Sequence, residues 1–183
     1  IIADTYFYQI TDKPREILKN IAQESKYLGT KIWDERDFSI PLENMEELFI
    51  LASIVEKETF LNEEKPIISG VFYNRLRKKM KLQSDPTVVY AITLGKKKMG
   101  RKLLRKDLKY KSKFNTYIHK ELPPSPICIP GIESLISAAK PQKSNYLYFV
   151  SKNKKNEGHF FSENYKDHLD NIKSIKENKV INE

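Results

Sequence analysis

Residues 45–59 read MEELFILASIVEKET, and the fold turns on how that stretch is placed. At about 100° per residue, Leu48, Leu51, Ala52, Val55 and Thr59 fall on one side of a helix, while Phe49, Ile50 and Ile54 fill much of the rest. A helix that is apolar nearly all round is normally buried, so this one predicts the centre of a helical core. Working outward, PLEN (41–44) introduces this helix from about Met45 to Thr59. Residues Glu64 to Lys79 read as the next, with Pro66 near its start and Ile67, Ile68, Val71 and Phe72 apolar. Upstream, Pro14 to Lys26 reads as a helix that Gly29 ends. Downstream, Pro86, Gly95 and Gly100 break the pattern between Leu82 and Tyr117, which predicts a short helix, an excursion and a loop.

The Pro-rich run from Leu122 to Gly131 is expected to be extended, and Ser134 to Lys140 a short helix. Tyr146–Val150 and His159–Phe161 are aromatic and β-branched runs separated by polar residues 151–158, the pattern of a hairpin. A polar helix from about Ser162 to Glu177 closes the chain. The class is α+β, with no βαβ alternation and no internal repeat. Residues 1–40 are expected to form a short N-terminal entry segment or lobe, and residues 41–183 the main domain.

Two acids interrupt the apolar helix, Glu56 and Glu58, with Lys57 between them pointing away from the apolar centre. Glu58 falls between the directions of Leu51 and Ile54, with Ile54 and Val55 one turn below, so its carboxyl should be poorly solvated. Desolvation disfavours the charged form and raises a carboxyl pKa, as a general acid working near neutral pH requires. Glu56 lies nearer Phe49 and Ala52, and the wheel prefers Glu58 without deciding between them. An ordinary helix-end ion pair, for example to Arg75 or Arg77, is the competing reading for either acid. The loop sequences Gln83-Ser84-Asp85 and Asn115-Thr116-Tyr117 add hydrogen-bonding groups that could serve a cleft or merely form turns.

The 183 residues suffice for one domain, and 39% apolar with 11% aromatic content is too rich for a disordered chain even at 31% charged. The chain opens at Ile1 without Met or a targeting segment, as expected of a piece of something longer, and no run approaches the roughly 18 apolar residues of a membrane span. Cys128 is the only cysteine, so no intrachain disulfide forms. His119, His159 and His168 are scattered singly, and neither a metal nor a cofactor is expected.

The net charge of +9 is laid out unevenly. Lys plus Arg against Asp plus Glu run 7 to 14 over residues 1–64, 16 to 2 over residues 75–120, and 9 to 8 over residues 121–183. A solvated face is the plain reading of the basic block; an anionic partner is the other. Tyr90, Tyr110, Phe114 and Tyr117 are too sparse for a stacking platform, and no nucleic-acid motif is present, so no nucleic acid is expected.

The blocks ASIVEKET (52–59), VFYNRLR (71–77) and MKLQSDPTVVY (80–90) closely resemble the YceG-like family of membrane-bound endolytic murein transglycosylases. The likeness continues in one order through DTY (4–6), FNTY (114–117), LPP (122–124), PG (130–131), YLYFV (146–150) and HFFS (159–162). Each block alone is a weak motif, and the series is specific. It implies a helical lysozyme-like core with a small sheet, and a catalytic Glu that falls on Glu58, with Glu58-Thr59 similar to the Glu-Ser pair of lysozyme-like transglycosylases. It further implies cleft residues Asn74, Gln83, Asp85, Tyr90, Asn115 and Tyr117.

The implied reaction breaks the bond between N-acetylmuramic acid and N-acetylglucosamine of peptidoglycan glycan strands and leaves a 1,6-anhydro end, without metal or cofactor. The resemblance also implies penicillin-binding proteins as partners. The implied location is the bacterial inner membrane, with the catalytic domain facing the periplasm or cell exterior, through an anchoring helix and an N-terminal domain absent from this sequence. Ser84, where Thr is more usual, and the lysine-rich stretch from Lys96 to Lys113 depart from the family pattern. A non-catalytic basic module that binds wall glycan or nucleic acid is the alternative.

Overall fold

The helix over 45–59 forms because Asn44 caps it, its side chain accepting the backbone N–H of Glu47, and because its apolar residues find partners on every side. In the computed structural model, which describes residues 1–152 and 157–180, it runs Met45–Glu58 and is the second of six helices. The order is α1 (Pro14–Asp34), α2 (Met45–Glu58), α3 (Lys65–Arg77), α4 (Asp85–Thr93), a 3-10 turn (Asp107–Lys109), α5 (Ile132–Ala139), β1 (Tyr148–Ser151), β2 (His159–Ser162) and α6 (Tyr165–Val180). The class is α+β, as the residue pattern indicates.

Leu48, Leu51, Ile54 and Val55 of α2 are fully buried against α5, α3, α1 and α4, and Ile68, Phe72 and Tyr73 of α3 and Leu135 and Ala138 of α5 complete the core. At about 1.5–3 kcal/mol for each such side chain, this cluster is the main favourable term of the fold. Tyr73 adds a buried hydrogen bond from its hydroxyl to the carbonyl of Ala138, at 2.7 Å. Residues drawn from the sequence as an N-terminal lobe join the same core: Ile2 and Ile40 belong to the cluster, and Ala3 bridges Gly131 in parallel.

Gly29 does not end α1, which continues to Asp34. A Cβ at Gly29 would stand 3.0 Å from the Phe49 ring, so the glycine is there to let α1 and α2 approach, and Ile32 and Trp33 beyond it pack on the core. Gly70 plays the same part in α3, where a Cβ would collide with the carbonyl oxygen of Gln142.

The hairpin pairs β1 and β2 antiparallel, with Tyr148 opposite Ser162 and Phe149 opposite Phe161. It starts two residues later than the aromatic run suggests, because Ser144 and Tyr146 spend their carbonyls on the side chain of Asn74. Residues 153–156 of the connection lie outside the described residues. The last helix begins at Tyr165 rather than Ser162, since Ser162 completes β2 and the Asn164 side chain accepts the N–H of Asp167 to start the helix. No described helix is long and apolar enough to cross a membrane.

Candidate active site

Glu58 is the last residue of α2, and Thr59 leaves the helix in an extended conformation. The carboxyl therefore projects from the end of a buried rod into the space where α4 begins. Ser84, the residue that precedes α4, donates its hydroxyl to Glu58 Oε1 at 2.5 Å. Burial pushes the Glu58 carboxyl up to about 7, the negative charge of Asp85 adds to the rise, and the Ser84 hydrogen bond and the Arg75 charge oppose it. The residue as a whole is only partly buried, so the acid is desolvated yet reachable.

Ser84 is itself held in place. Its N–H donates to Thr116 Oγ1 at 3.0 Å, its carbonyl accepts the Thr87 hydroxyl at 2.6 Å, and the two threonine hydroxyls meet at 2.8 Å. Gln83, with φ of 54° in the left-handed region, donates its N–H to the carbonyl of Thr116 and turns the chain so that Ser84 faces α2. Tyr117 donates its hydroxyl to Asp85 Oδ1 at 2.6 Å, a bond that raises the Tyr117 pKa together with burial, which is the larger cause.

Arg75 ties these parts together. Buried at 7% exposure, it donates Nε to the carbonyl of Leu147 and Nη1 to the carbonyls of Lys81 and Leu82 and to Gln83 Oε1, and its guanidinium lies over the Tyr148 ring. It forms no ion pair with Glu58, whose carboxyl feels its charge only at a distance. The competing sequence reading of a helix-end ion pair thus applies to the other acid. Glu56 accepts from the Ser134 hydroxyl at 2.5 Å and the Gly131 N–H at 3.2 Å, and pairs with the buried Lys65 at 3.5 Å. Burial alone would raise the Glu56 carboxyl; these donors outweigh it and hold the pKa below its ordinary value.

A groove of about 680 Å³ opens beside this cluster, lined by Lys57, Asp85, Val89, Tyr90, Ile127 and Cys128 among others. Lys57, next to Glu58 in sequence, is exposed as its wheel position indicates. The structure thus gathers Glu58, Gln83, Asp85 and Tyr117 into one cluster with Ser84 and Arg75 and puts Tyr90 on the groove wall, its ring tilted against that of Phe114 with centroids 4.8 Å apart.

The other two cleft candidates go elsewhere. Asn115 is fully buried; its amide donates to the carbonyls of Leu108 and Tyr110 and its oxygen accepts the N–H of Tyr117, so it shapes the loop and has no group left for a sugar. Asn74 fastens α3 to the carbonyls of Ser144 and Tyr146. Thr59 turns its hydroxyl to Glu64 and not to the cleft, so the hydroxyl beside the acid comes from Ser84.

Thr116 belongs to one of the loop sequences named from the residues, whereas the central place of Arg75, which the sequence offers only as an ion-pair partner, was not legible. The one available signal was that Arg75 follows Val71 by four and Phe72 by three, on the apolar face of α3, where an unpaired cation requires several acceptors. Among the described residues no group of three or more His, Cys, Asp or Glu side chains is arranged to hold a metal ion.

The model of the YceG-like family matches residues 1–174. The chain is 44% identical over 109 residues to an endolytic murein transglycosylase of Bacillus subtilis, a match covering 60% of this chain and 29% of that protein. It is 35% identical over 132 residues to an endolytic murein transglycosylase of Streptococcus pneumoniae, covering 69% of this chain and 23% of the relative. The 2.6 Å crystal structure of a yceG-like protein from Listeria monocytogenes superposes with a TM-score of 0.76 at 34% identity, over 92% of this chain and 52% of the other. The chain spans less than a third of the length of these curated relatives.

Proposed function

We propose, from the premise that this chain belongs to the YceG-like family, that it carries the catalytic part of a lytic transglycosylase acting on peptidoglycan in the bacterial envelope. The observation that carries the reading is the Glu58 carboxyl, which keeps its proton up to about pH 7 beside an open groove and holds Ser84 as its hydrogen-bond partner. Curated relatives named endolytic murein transglycosylases supply the reaction class.

Most glycoside hydrolases need two carboxylates, one to protonate the leaving oxygen and one to attack or to activate water. Here one acid serves twice. Protonated Glu58 gives its proton to the glycosidic oxygen as the bond from muramic acid C1 breaks, and an oxocarbenium-like centre develops. The carboxylate so formed, still accepting from Ser84 Oγ, takes the proton of the muramic acid C6 hydroxyl. O6 bonds to C1, the 1,6-anhydro ring closes, and the enzyme regains its starting protonation.

Because the nucleophile belongs to the substrate, the second step is intramolecular and gains from fixed geometry. Asp85, steadied by Tyr117, contributes negative potential that opposes the loss of the Glu58 proton before the leaving group demands it and favours the cationic centre afterwards. Gln83 and Tyr90 offer an exposed amide and an aromatic wall for the sugars.

The test is to incubate the protein with glycan strands and weigh the new ends by mass spectrometry. Anhydro ends are expected; reducing ends that carry an added water would make the protein a muramidase and end this reading.

A further inference from the structure

The loop over residues 94–113 carries ten Lys and Arg against a single acid, Asp107. All ten cations are exposed, whereas Asp107 is buried. Asp107 is also spent inside the loop: Oδ2 accepts from Arg101 Nη1 at 2.6 Å and from the Leu104 N–H at 2.8 Å, and Oδ1 from Arg101 Nη2 at 3.0 Å. The other nine cations have no carboxylate partner among the described residues. Crowding like charges on one loop raises its energy, and the single acid Asp107 offsets only a small part of that.

The loop is nonetheless a built element. Asn115, fully buried, holds the carbonyls of Leu108 and Tyr110, and the Phe114 ring packs at a tilt against Tyr90 of the groove wall. Thr93 and Gly95, where the loop departs, line the groove itself, and Lys57 adds a cation within it. The basic surface is therefore continuous with the groove beside Glu58.

We propose that this loop is a ledge for the carboxylates of the peptide stems carried by the glycan, so that the groove favours stem-bearing over stem-free strands. The inference rests on the function proposed above. The sugar backbone of such a polymer is neutral, and its charge lies on the stems, which leave the strand at intervals and beside the groove. Eight of the ten cations are lysines, point charges on flexible stalks that suit carboxylates of variable position better than the rigid fork of arginine does. Tyr110 is the only exposed aromatic residue of the loop, so bases have no series of rings on which to stack.

The experiment measures binding with the Glu58→Gln chain, so that strands are not consumed, against stem-bearing glycan and against a neutral, stem-free oligomer of N-acetylglucosamine of matched length, since stripping by an amidase would leave a lactyl carboxylate on every muramic acid. Stem-bearing strands are expected to bind about tenfold more tightly at low salt, a preference that shrinks to about twofold or less near 0.5 M salt, where screening lengths fall to a few ångströms. Replacing Lys96, Lys97, Lys98, Lys106, Lys109 and Lys111 by Gln should remove the preference. Replacing the exposed Lys13 and Lys19 of the opposite charge block should not.

Equal binding of both glycans, or a preference that survives the six replacements, overturns the ledge. So does a loop variant that loses affinity only for single-stranded DNA or for vesicles of phosphatidylglycerol. Failure of the wild-type chain to cleave while the binding preference persists would sink the transglycosylase reading and leave the ledge; cleavage without any preference would do the reverse.

Discussion

Glu56 and Glu58 stand two residues apart on the last turn of α2, and each meets a serine near the N-terminus of another helix, Ser134 of α5 and Ser84 before α4. Their surroundings then diverge. Around Glu56 the space is closed by a buried Lys65 and the Gly131 N–H, and the carboxyl is held ionised. Around Glu58 burial is the largest influence, the Asp85 charge outweighs that of Arg75, no N–H reaches the carboxyl, and the pKa is pushed up to about 7. Two residues of one type are set to opposite states, Glu58 by its deeper burial with the Asp85 charge adding to the rise, and Glu56 by the Ser134, Gly131 and Lys65 donors that outweigh its burial, which suits the first to serve as an acid and the second as a brace.

Exchanging the two by mutation is the strongest way to break that contrast. Glu58→Gln keeps the Ser84 contact but has no proton to give, so glycan cleavage should fall by at least about a thousandfold while circular dichroism and melting remain native. Glu56→Gln should do the opposite. It leaves Lys65 buried without its charge partner, which costs about 2–4 kcal/mol in a thermal or denaturant melt, while kcat of the folded fraction stays within a few-fold of the parent. If Glu56→Gln abolishes cleavage in a folded protein, the roles assigned to the two acids are reversed.

The same contrast predicts a pH dependence of stability. The Glu58 carboxyl has a folded-state pKa raised from 4.5 to about 7, so the folded chain binds its proton more tightly than the unfolded chain does. That contribution is whole below about pH 4.5 and is lost as pH rises through about 7. Relative to Glu58→Gln, the parent should lose roughly 1–3 kcal/mol between pH 4.5 and 8, read as a difference in denaturant midpoints. A parallel pair of curves would mean that the carboxyl is better solvated than its neighbours imply.

How much of this the residues alone disclosed follows from the range of the forces involved. Helical periodicity is local, so α2, α3 and the polarity of the Glu58 position could be read directly from the chain, and the wheel could set Glu58 only slightly ahead of Glu56. What separates them lies far away in sequence: Lys65 is 9 residues on from Glu56, Ser134 is 78, and Ser84 is 26 from Glu58. Gly29 misled for the same reason, since its purpose is the Phe49 ring and not the end of α1. Asn115 and Tyr117 are neighbours in one motif, yet the turn between them points the first into the loop and the second at Asp85. No periodicity records which of two polar residues two positions apart a turn will bury.

Ser84 sharpens the contrast more finely. Its hydroxyl steadies the carboxylate form of Glu58 and so works against the raised pKa. Ser84→Ala should therefore move the alkaline limb of the kcat profile upward in pH while lowering kcat by about tenfold, because the base formed in the first step loses its donor. Ser84→Thr retains the hydroxyl and should restore both the limb and most of the rate. An alanine variant with an unshifted limb would show that the bond orients the acid without tuning it.

Asp85 gives the smallest effect and the most direct reading of sign. Its charge pushes the Glu58 pKa up, and Tyr117 holds it at 2.6 Å. Asp85→Asn removes the charge, so the Glu58 proton becomes easier to lose and the alkaline limb should move downward, by less than about one pH unit because burial is the larger cause of the shift. Tyr117→Phe leaves the charge in place and unmasks it, so the limb should move slightly upward. The two neighbours of one carboxyl then move one profile in opposite directions, which a general loosening of the groove could not do; a downward shift in both variants would refute the assignment of Asp85 as the charge that sets Glu58 apart from Glu56.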